Sequence, residues 1–317
     1  MEIVFLEKGS LGSDIDLGYF SELGHVTFYE VTKPEQVPER IKDADVIIVN
    51  KLPMDETTLS GASHLKLVAL TATGMNNIDF AYTGSRGILV KNVAGYSTSA
   101  VAQHTFALLF YVLHRLAYYD HYVKSGAYCE NPGFSHFVEK FSELDGKTWG
   151  IVGLGAIGRR VAAIAEAFGC HVIYYSTSGR NTDQSYERVD FEELLERSDV
   201  ISLHAPLNPD TEGLMNREAF RKMKKSAFLV NVARGGLVME QDLADALNEG
   251  EIAGAGLDVL CQEPMRPENP LFAIRDSRKL IITPHMAWAP VETRERLMRC
   301  VYKNIETCSC CQERNAD

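Results

Sequence analysis

Residues 153–158 read Gly153-Leu154-Gly155-Ala156-Ile157-Gly158, directly after the apolar run Thr148-Trp149-Gly150-Ile151-Val152. Ile157, Val161, Ile164, Ala165 and Phe168 then recur at helical spacing. The glycines therefore stand where a buried strand turns into a helix, and this confines the surrounding chain to a β/α fold. Each glycine has its own task in such a turn. Gly153 permits the tight bend, Gly155 lets the backbone approach a ligand, and Gly158 lets helix and strand pack closely. The helix N-terminus adds unpaired N–H groups and a positive dipole end. The segment is read as a turn for the pyrophosphate of a dinucleotide, contacted by backbone at Gly155, Ala156 and Ile157. A strand–helix turn without a ligand is the plain alternative.

About half of the 317 residues precede this turn, so a first unit is built before the nucleotide site begins. Its strand candidates are Glu2–Leu6, Val26–Glu30, Asp45–Val49, Leu67–Thr71 and Ile88–Lys91, with helical stretches between them. A single helix rich in Ala, Leu, Phe and Tyr is expected from about Thr98 to Lys124, then a loop through Asn131-Pro132-Gly133. A second β/α series follows. Its six strands are expected at 148–152, 171–175, 199–203, 227–231, 253–257 and 279–283, and its helices near 157–168, 190–197, 216–223 and 240–249. A last helix, from about Pro290 to Cys308, has no further strand to join in that sheet. The simplest topology returns it to the first unit. The expected fold class is thus α/β with two β/α domains. A doubly wound dinucleotide-binding domain, 99–287, is inserted into a flavodoxin-like domain made of 1–98 plus 288–317, with an active site expected in the cleft.

Composition excludes several partners. A net charge of −11 argues against nucleic acid, which requires clustered Lys and Arg. The start, Met1-Glu2-Ile3-Val4-Phe5, has no basic region, and no run of about 18 apolar residues occurs, so neither a signal peptide nor a membrane span is expected. Four of the seven cysteines are scattered, which fits a reduced, cytoplasmic protein. Cys308, Cys310 and Cys311 read as a reduced, solvated tail, and no metal site is expected.

Three polar residues fall at or after strand ends of the second series, at the cofactor edge of the sheet. Arg234 lies in Asn231-Val232-Ala233-Arg234-Gly235-Gly236, Glu263 in the run from Leu257-Asp258-Val259 to Glu263-Pro264, and His285 in Thr283-Pro284-His285-Met286-Ala287-Trp288. With the glycine turn, these segments resemble the D-isomer-specific 2-hydroxyacid dehydrogenase family over nearly the whole chain. Pro284-His285-Met286-Ala287-Trp288-Ala289 and Asn92-Val93-Ala94-Gly95-Tyr96-Ser97 resemble its glycerate dehydrogenase/hydroxypyruvate reductase branch.

The resemblance implies an oxidoreductase that reduces a small 2-oxo acid to the D-2-hydroxy acid with NAD(P)H. Hydroxypyruvate or glyoxylate is the first choice; pyruvate or a bulkier acid is the alternative. Arg234 would hold the substrate's carboxylate or carbonyl through its donor fork. His285 would give the proton, and Glu263 would orient its imidazole and favour the charged form. In the first unit, Thr73 and Gly74 occupy the family's substrate-loop position. Lys51 either faces the substrate or is a solvated lysine, and Trp288 either walls the pocket or anchors the last helix.

The cofactor is expected to meet Gly153, Gly155, Ala156, Ile157 and Gly158. Ala205 and Pro206, Val232 and Ala233, and Asp258 on the nicotinamide side should complete its site. The second strand ends at Tyr175, where an acid for the ribose hydroxyls is expected, but Ser176 and Thr177 follow and then Arg180. A carboxylate would repel a 2′-phosphate, whereas Ser176 does not and Arg180 can pair with one. NADPH is therefore slightly favoured over NADH. A homodimer is implied by the resemblance, with the apolar pattern Val101–Tyr119 as its interface or, equally, as core. A dinucleotide-sensing interaction protein of corepressor type is the reading from a different class.

Overall fold

The computed structural model describes residues 1–181 and 185–308. The chain divides into two compact units, one of Met1–Ser97 with the segment from Trp288 onward, the other of Thr98–Ala287. Each is built on one parallel sheet.

The first unit holds β1 (Glu2–Phe5), β2 (His25–Phe28), β3 (Val46–Val49), β4 (Leu67–Leu70) and β5 (Leu89–Lys91) in the order β2-β1-β3-β4-β5. This is the flavodoxin-like order. All eight residues of β3 and β4 are buried, as in parallel strands covered on both faces. Alternation divides them between two cores. Val4, Ile47, Val49, Val68 and Leu70 pack with residues of the short helices α1 (Val37–Arg40) and α2 (Glu56–Leu59). On the opposite face, Ile3, Phe5, Val46, Ile48, Leu67 and Ala69 pack with Leu297, Met298, Val301 and Ile305 of the final helix, Val291–Glu306. Those four positions form one stripe of that helix.

Among the described residues, the second unit has seven strands rather than the six expected. They are β6 (Thr148–Val152), β7 (His171–Tyr175), β8 (Glu187–Arg188), β9 (Val200–Leu203), β10 (Phe228–Asn231), β11 (Gly254–Leu257) and β12 (Leu280–Ile282), in the order β12-β11-β10-β9-β6-β7-β8. The extra strand, β8, is two residues long and pairs with Ile173 and Tyr174, too short for alternation to reveal it. Sheet growth reverses between β6 and β9, the crevice where ligands bind in open α/β sheets.

The long helix expected over 98–124 is two helices. After α3 (Phe80–Ser85) come α4 (Thr98–Leu113) and α5 (Leu116–Lys124), separated by Arg115 at φ 54°. Neither glycine nor proline marks the break. The Arg115 guanidinium instead donates to the Arg278 carbonyl at 2.9 Å. Helix α4 belongs to the core of its own unit, with Val101, Phe106, Leu109 and Val112 packed among Trp149, Val161 and Val230. It lies so close to β11 that a Cβ on Gly256 would come within 2.8 Å of Leu108 Cβ. The α4 part of the pattern Val101–Tyr119 is thus core, as one of its two expected readings has it. Exposed apolar residues begin at its end, with Leu116, and continue with Val123, Phe134, Phe137, Val138 and Phe141, Phe134 being 92% and Phe137 84% exposed. Helices α6 (Ala156–Ala167), α7 (Phe191–Arg197), α8 (Arg217–Lys222) and α9 (Glu240–Glu249) alternate with the strands.

Cys129, Cys170, Cys261 and Cys300 are free thiols. Cys308, expected in a reduced, solvated tail, is instead 1% exposed and disulfide-bonded; Cys310 and Cys311 lie outside the described residues. Among the described residues, no helix is long and apolar enough to cross a membrane.

Candidate active site

The glycine turn joins β6 to α6, and each glycine has a separate physical reason. Gly153 has φ +90°, and a Cβ there would stand 2.9 Å from the Ala205 backbone nitrogen in the loop after β9. A Cβ on Gly158 would stand 2.4 Å from the Gly153 carbonyl oxygen. Gly155 is the N-cap of α6, with no side-chain cap and no atom within 4 Å of an added Cβ. Gly155 and Ala156 are exposed and Ile157 is half-buried, at the N-terminus of a three-turn helix whose first N–H groups have no helical acceptor. That cradle fits a dinucleotide pyrophosphate. On the β9 side Ala205 is buried and Pro206 exposed.

The loop after β7 is tied to this turn by a residue that the sequence did not single out. Asn181 Nδ2 donates to the Leu154 carbonyl at 2.6 Å. Ser176 is 6% exposed, and its Oγ accepts from the Asn181 N–H at 3.4 Å. The Ser176 hydroxyl oxygen thus accepts one long bond from within the loop. Thr177 is half-buried and Arg180 exposed.

Arg234, Glu263 and His285 all belong to the second unit. Arg234 follows β10 with extended backbone, φ −145°, and its Nη1 donates to the Ala233 carbonyl at 2.7 Å. The turn is held by Asn231, a fully buried side chain. Asn231 Oδ1 accepts from the Ala233 N–H at 3.0 Å, and its Nδ2 donates to the Arg234 carbonyl at 2.9 Å. Gly235 then lies flat on the loop after β11, where a Cβ would collide with the Leu260 carbonyl. Val232 is buried in the core and Ala233 is half-buried.

The Leu260 loop carries Glu263, whose Oε1 accepts from the Leu260 N–H at 3.0 Å. Its Oε2 meets His285 Nδ1 at 2.6 Å. A carboxylate only accepts, so Nδ1 carries a hydrogen and Nε2 is the ring nitrogen left for chemistry. Both side chains are partly exposed, 26% for His285 and 35% for Glu263. His285 has φ 53°, in the left-handed region, and its N–H donates to the carbonyls of Asp258 and Thr283 at 2.8 and 2.9 Å.

Asp258 explains how such a turn is held. Its side chain is 1% exposed. Oδ1 accepts from Thr283 Oγ1 at 2.6 Å and from the Met286 N–H at 2.8 Å, and Oδ2 accepts from the Ala287 N–H at 2.9 Å. His104, on α4, places Nε2 2.9 Å from Thr283 Oγ1 and 3.4 Å from Asp258 Oδ1. Burial alone would raise the Asp258 pKa, but these hydrogen bonds outweigh it and hold the carboxyl below its ordinary value. The carboxylate expected at the nicotinamide is thus engaged in clamping the His285 turn.

The substrate residues expected from the first unit are placed as follows. Lys51 is exposed; the N–H groups of Asn50, Lys51 and Leu52 converge on Glu7 Oε2 at 2.7, 2.9 and 3.3 Å. Thr73 is exposed and Gly74 half-buried. Their loop is stapled by the Thr73 hydroxyl to the Val93 carbonyl at 2.8 Å and by Asn92 Nδ2 to the Thr73 carbonyl at 2.6 Å. Trp288 is half-buried and packs against the core that the final helix completes.

Comparison with known proteins places this architecture. Residues 106–287 match the model of the D-isomer specific 2-hydroxyacid dehydrogenase, NAD binding domain. The chain is 39% identical over 312 residues to the hydroxypyruvate reductase of Blautia hydrogenotrophica, covering 96% of each chain. It is 38% identical over 306 residues to the glycerate dehydrogenase of Methylorubrum extorquens, covering 96% of this chain and 95% of the other. The crystal structure of D-lactate dehydrogenase from Aquifex aeolicus, complexed with NAD and lactic acid, superposes with a TM-score of 0.83 at 28% identity, over 96% of this chain and 94% of that one.

Proposed function

This chain belongs to the D-isomer-specific 2-hydroxyacid dehydrogenases, and from that premise we propose that it reduces hydroxypyruvate to D-glycerate with NAD(P)H. Glyoxylate is the second substrate proposed. The names of the relatives support this choice. The observation that carries the reading is the 2.6 Å pairing of His285 Nδ1 with Glu263, in the unit that also bears the open glycine turn.

The residues act as follows. The Gly155–Ile157 backbone and the α6 N-terminus hold the pyrophosphate. A nicotinamide dinucleotide held there would supply the hydride chemistry. Arg234 holds the substrate carboxylate and polarises the carbonyl oxygen. His285 delivers a proton from Nε2 to that oxygen as it gains charge. Glu263 holds Nδ1–H, fixes the ring orientation and stabilises the imidazolium before the transfer. In the reverse direction neutral His285 accepts the hydroxyl proton. The loop of Thr73 and Gly74 in the first unit, with Lys51, supplies further substrate contacts.

NADPH is the favoured cofactor on this reading. Ser176 rather than a carboxylate directly follows β7, and the exposed Arg180 is available to a 2′-phosphate. The working form is a homodimer, closed through the exposed apolar segment from Leu116 to Phe141. The cytoplasm is its compartment, supported by free thiols at four of the five described cysteines.

The test is loss of nicotinamide absorbance with NADPH and NADH, each against hydroxypyruvate, glyoxylate, pyruvate, 2-oxoisocaproate and phenylpyruvate. Hydroxypyruvate with NADPH should give the highest kcat/KM. His285→Ala should remove most turnover, on the order of 10²-fold or more, and leave cofactor binding largely intact. Arg234→Ala should strike substrate use harder than cofactor affinity. Turnover of bulky acids alone would discard the branch, and a large NADH preference would discard the cofactor assignment. Tight cofactor binding without turnover of any acid would favour a sensor of the corepressor type.

A further inference from the structure

We propose that His104 is a positioning residue for the reaction, acting on the proton donor through Asp258. This rests on the reading of His285 as that donor. His104 sits on α4, far from the strand ends in sequence, yet its ring reaches the clamp beneath the His285 turn.

Hydrogen accounting fixes its role. Asp258 is ionised and can only accept. Thr283 Oγ1, 2.6 Å from Asp258 Oδ1, must spend its one hydrogen there. The 2.9 Å contact between Thr283 Oγ1 and His104 Nε2 therefore requires Nε2 to donate. The same Nε2–H points to Asp258 Oδ1 at 3.4 Å. His104 thus donates into the Thr283–Asp258 pair. Asp258 in turn gathers the N–H groups of Met286 and Ala287, and the Asp258 carbonyl holds the N–H of His285 itself. His285 keeps its left-handed backbone, φ 53°, within this set of bonds. Thr283, Met286 and Ala287, around the proton donor, are pinned to one buried carboxylate, and His104 joins them in favouring its charged form.

The charged and titratable groups around Asp258 can be named. His104 faces it from α4, and the β12 loop presents the Thr283 hydroxyl and two backbone N–H groups. Of the other ionisable groups in the site, His285 and Glu263 face one another. Loss of the His104 donor lets Asp258 take up a proton at higher pH. A protonated Asp258 accepts fewer bonds, and the turn that aims His285 loosens. The sign is therefore fixed: activity falls away on the acid side at a higher pH than in the wild type.

The test compares the full-length wild type with His104→Leu and His104→Gln, the latter keeping an N–H donor near the Nε2 position. For His104→Leu, kcat for the best 2-oxo acid should fall about 10-fold or more, as expected of a misaimed proton donor. Cofactor Kd should be little changed, and the acid limb of the kcat–pH profile should move upward. His104→Gln should restore both kcat and the limb. A ¹⁵N spectrum of the wild-type ring should show Nε2 protonated. A His104→Leu enzyme with wild-type kcat and pH profile overturns the inference, as does a His104→Gln enzyme equally impaired, or an Nε2 without its hydrogen. In those cases the wild type still turns over 2-oxo acids and the reading of the site survives. A wild type inactive on all of them removes that reading and this inference together.

Discussion

The imidazole of His204 stands at the start of the loop after β9, with its Nδ1 buried and without a partner among the described residues. Trp149 Nε1 donates to Ser202 Oγ at 2.8 Å, and Ser202 Oγ lies 3.0 Å from His204 Nε2. Burial disfavours the charged ring and lowers its pKa to about 3. The unfolded chain takes up this proton near the ordinary value of about 6.5. Stability is thus complete above that pH and is lost as the pH falls toward 3, at up to about 1.4 kcal/mol per pH unit from this group. Thermal melts between pH 7 and pH 5 should show the wild type losing stability. His204→Gln, which keeps a polar group for Ser202 but cannot titrate, should flatten that slope. Parallel slopes in the two proteins would mean that His204 is already charged in the fold. Arg234, Glu263 and His285 were legible in the sequence because each follows a strand end within a distinctive local run. Asn231, Asn181 and His104 were not. Their importance lies in contacts to carbonyls and carboxylates brought near only by folding, and an asparagine or histidine at those positions carries no local mark.

At the scale of elements, the β6–α6 turn owes its form to a crossing with the loop after β9. Gly153→Ala would force a Cβ against the Ala205 nitrogen in a left-handed conformation that costs of the order of 1–3 kcal/mol by itself. The variant should melt at a lower temperature and bind NADPH or NADH more weakly in a fluorescence titration; unchanged values in both would show that the two loops move apart freely. The main strands were readable to within about two residues because buried parallel strands are unbroken apolar runs bounded by turns. The errors share a cause. Strand β8 is held by its neighbour rather than by its own pattern. The break between α4 and α5 falls at Arg115, in left-handed backbone, where no glycine or proline marks it in the sequence.

Across the whole molecule, apolar surface is distributed unevenly. Most large hydrophobic side chains of both units are buried, whereas 116–141 leaves several phenylalanines outward on a scaffold of its own tyrosines. Tyr122 stacks on His136 at 3.8 Å, and Tyr119 donates to the Glu139 carbonyl at 2.6 Å. A second copy of the chain is the proposed cover. Phe134→Glu combined with Phe137→Glu should shift the sedimentation mass from dimer to monomer with little change in circular dichroism, and a wild type that sediments as a monomer would exclude the interface. The final helix has a different consequence. It completes a core whose strands all lie within the first 91 residues, yet it follows the entire second unit in the chain. On the ribosome the insert can therefore finish folding before its host. Until Leu297, Met298, Val301 and Ile305 emerge, one face of the earliest-made sheet is covered only in part, by residues such as Leu11, Leu17 and Phe20. Apolar surface exposed in that nascent interval is the kind that chaperones shield.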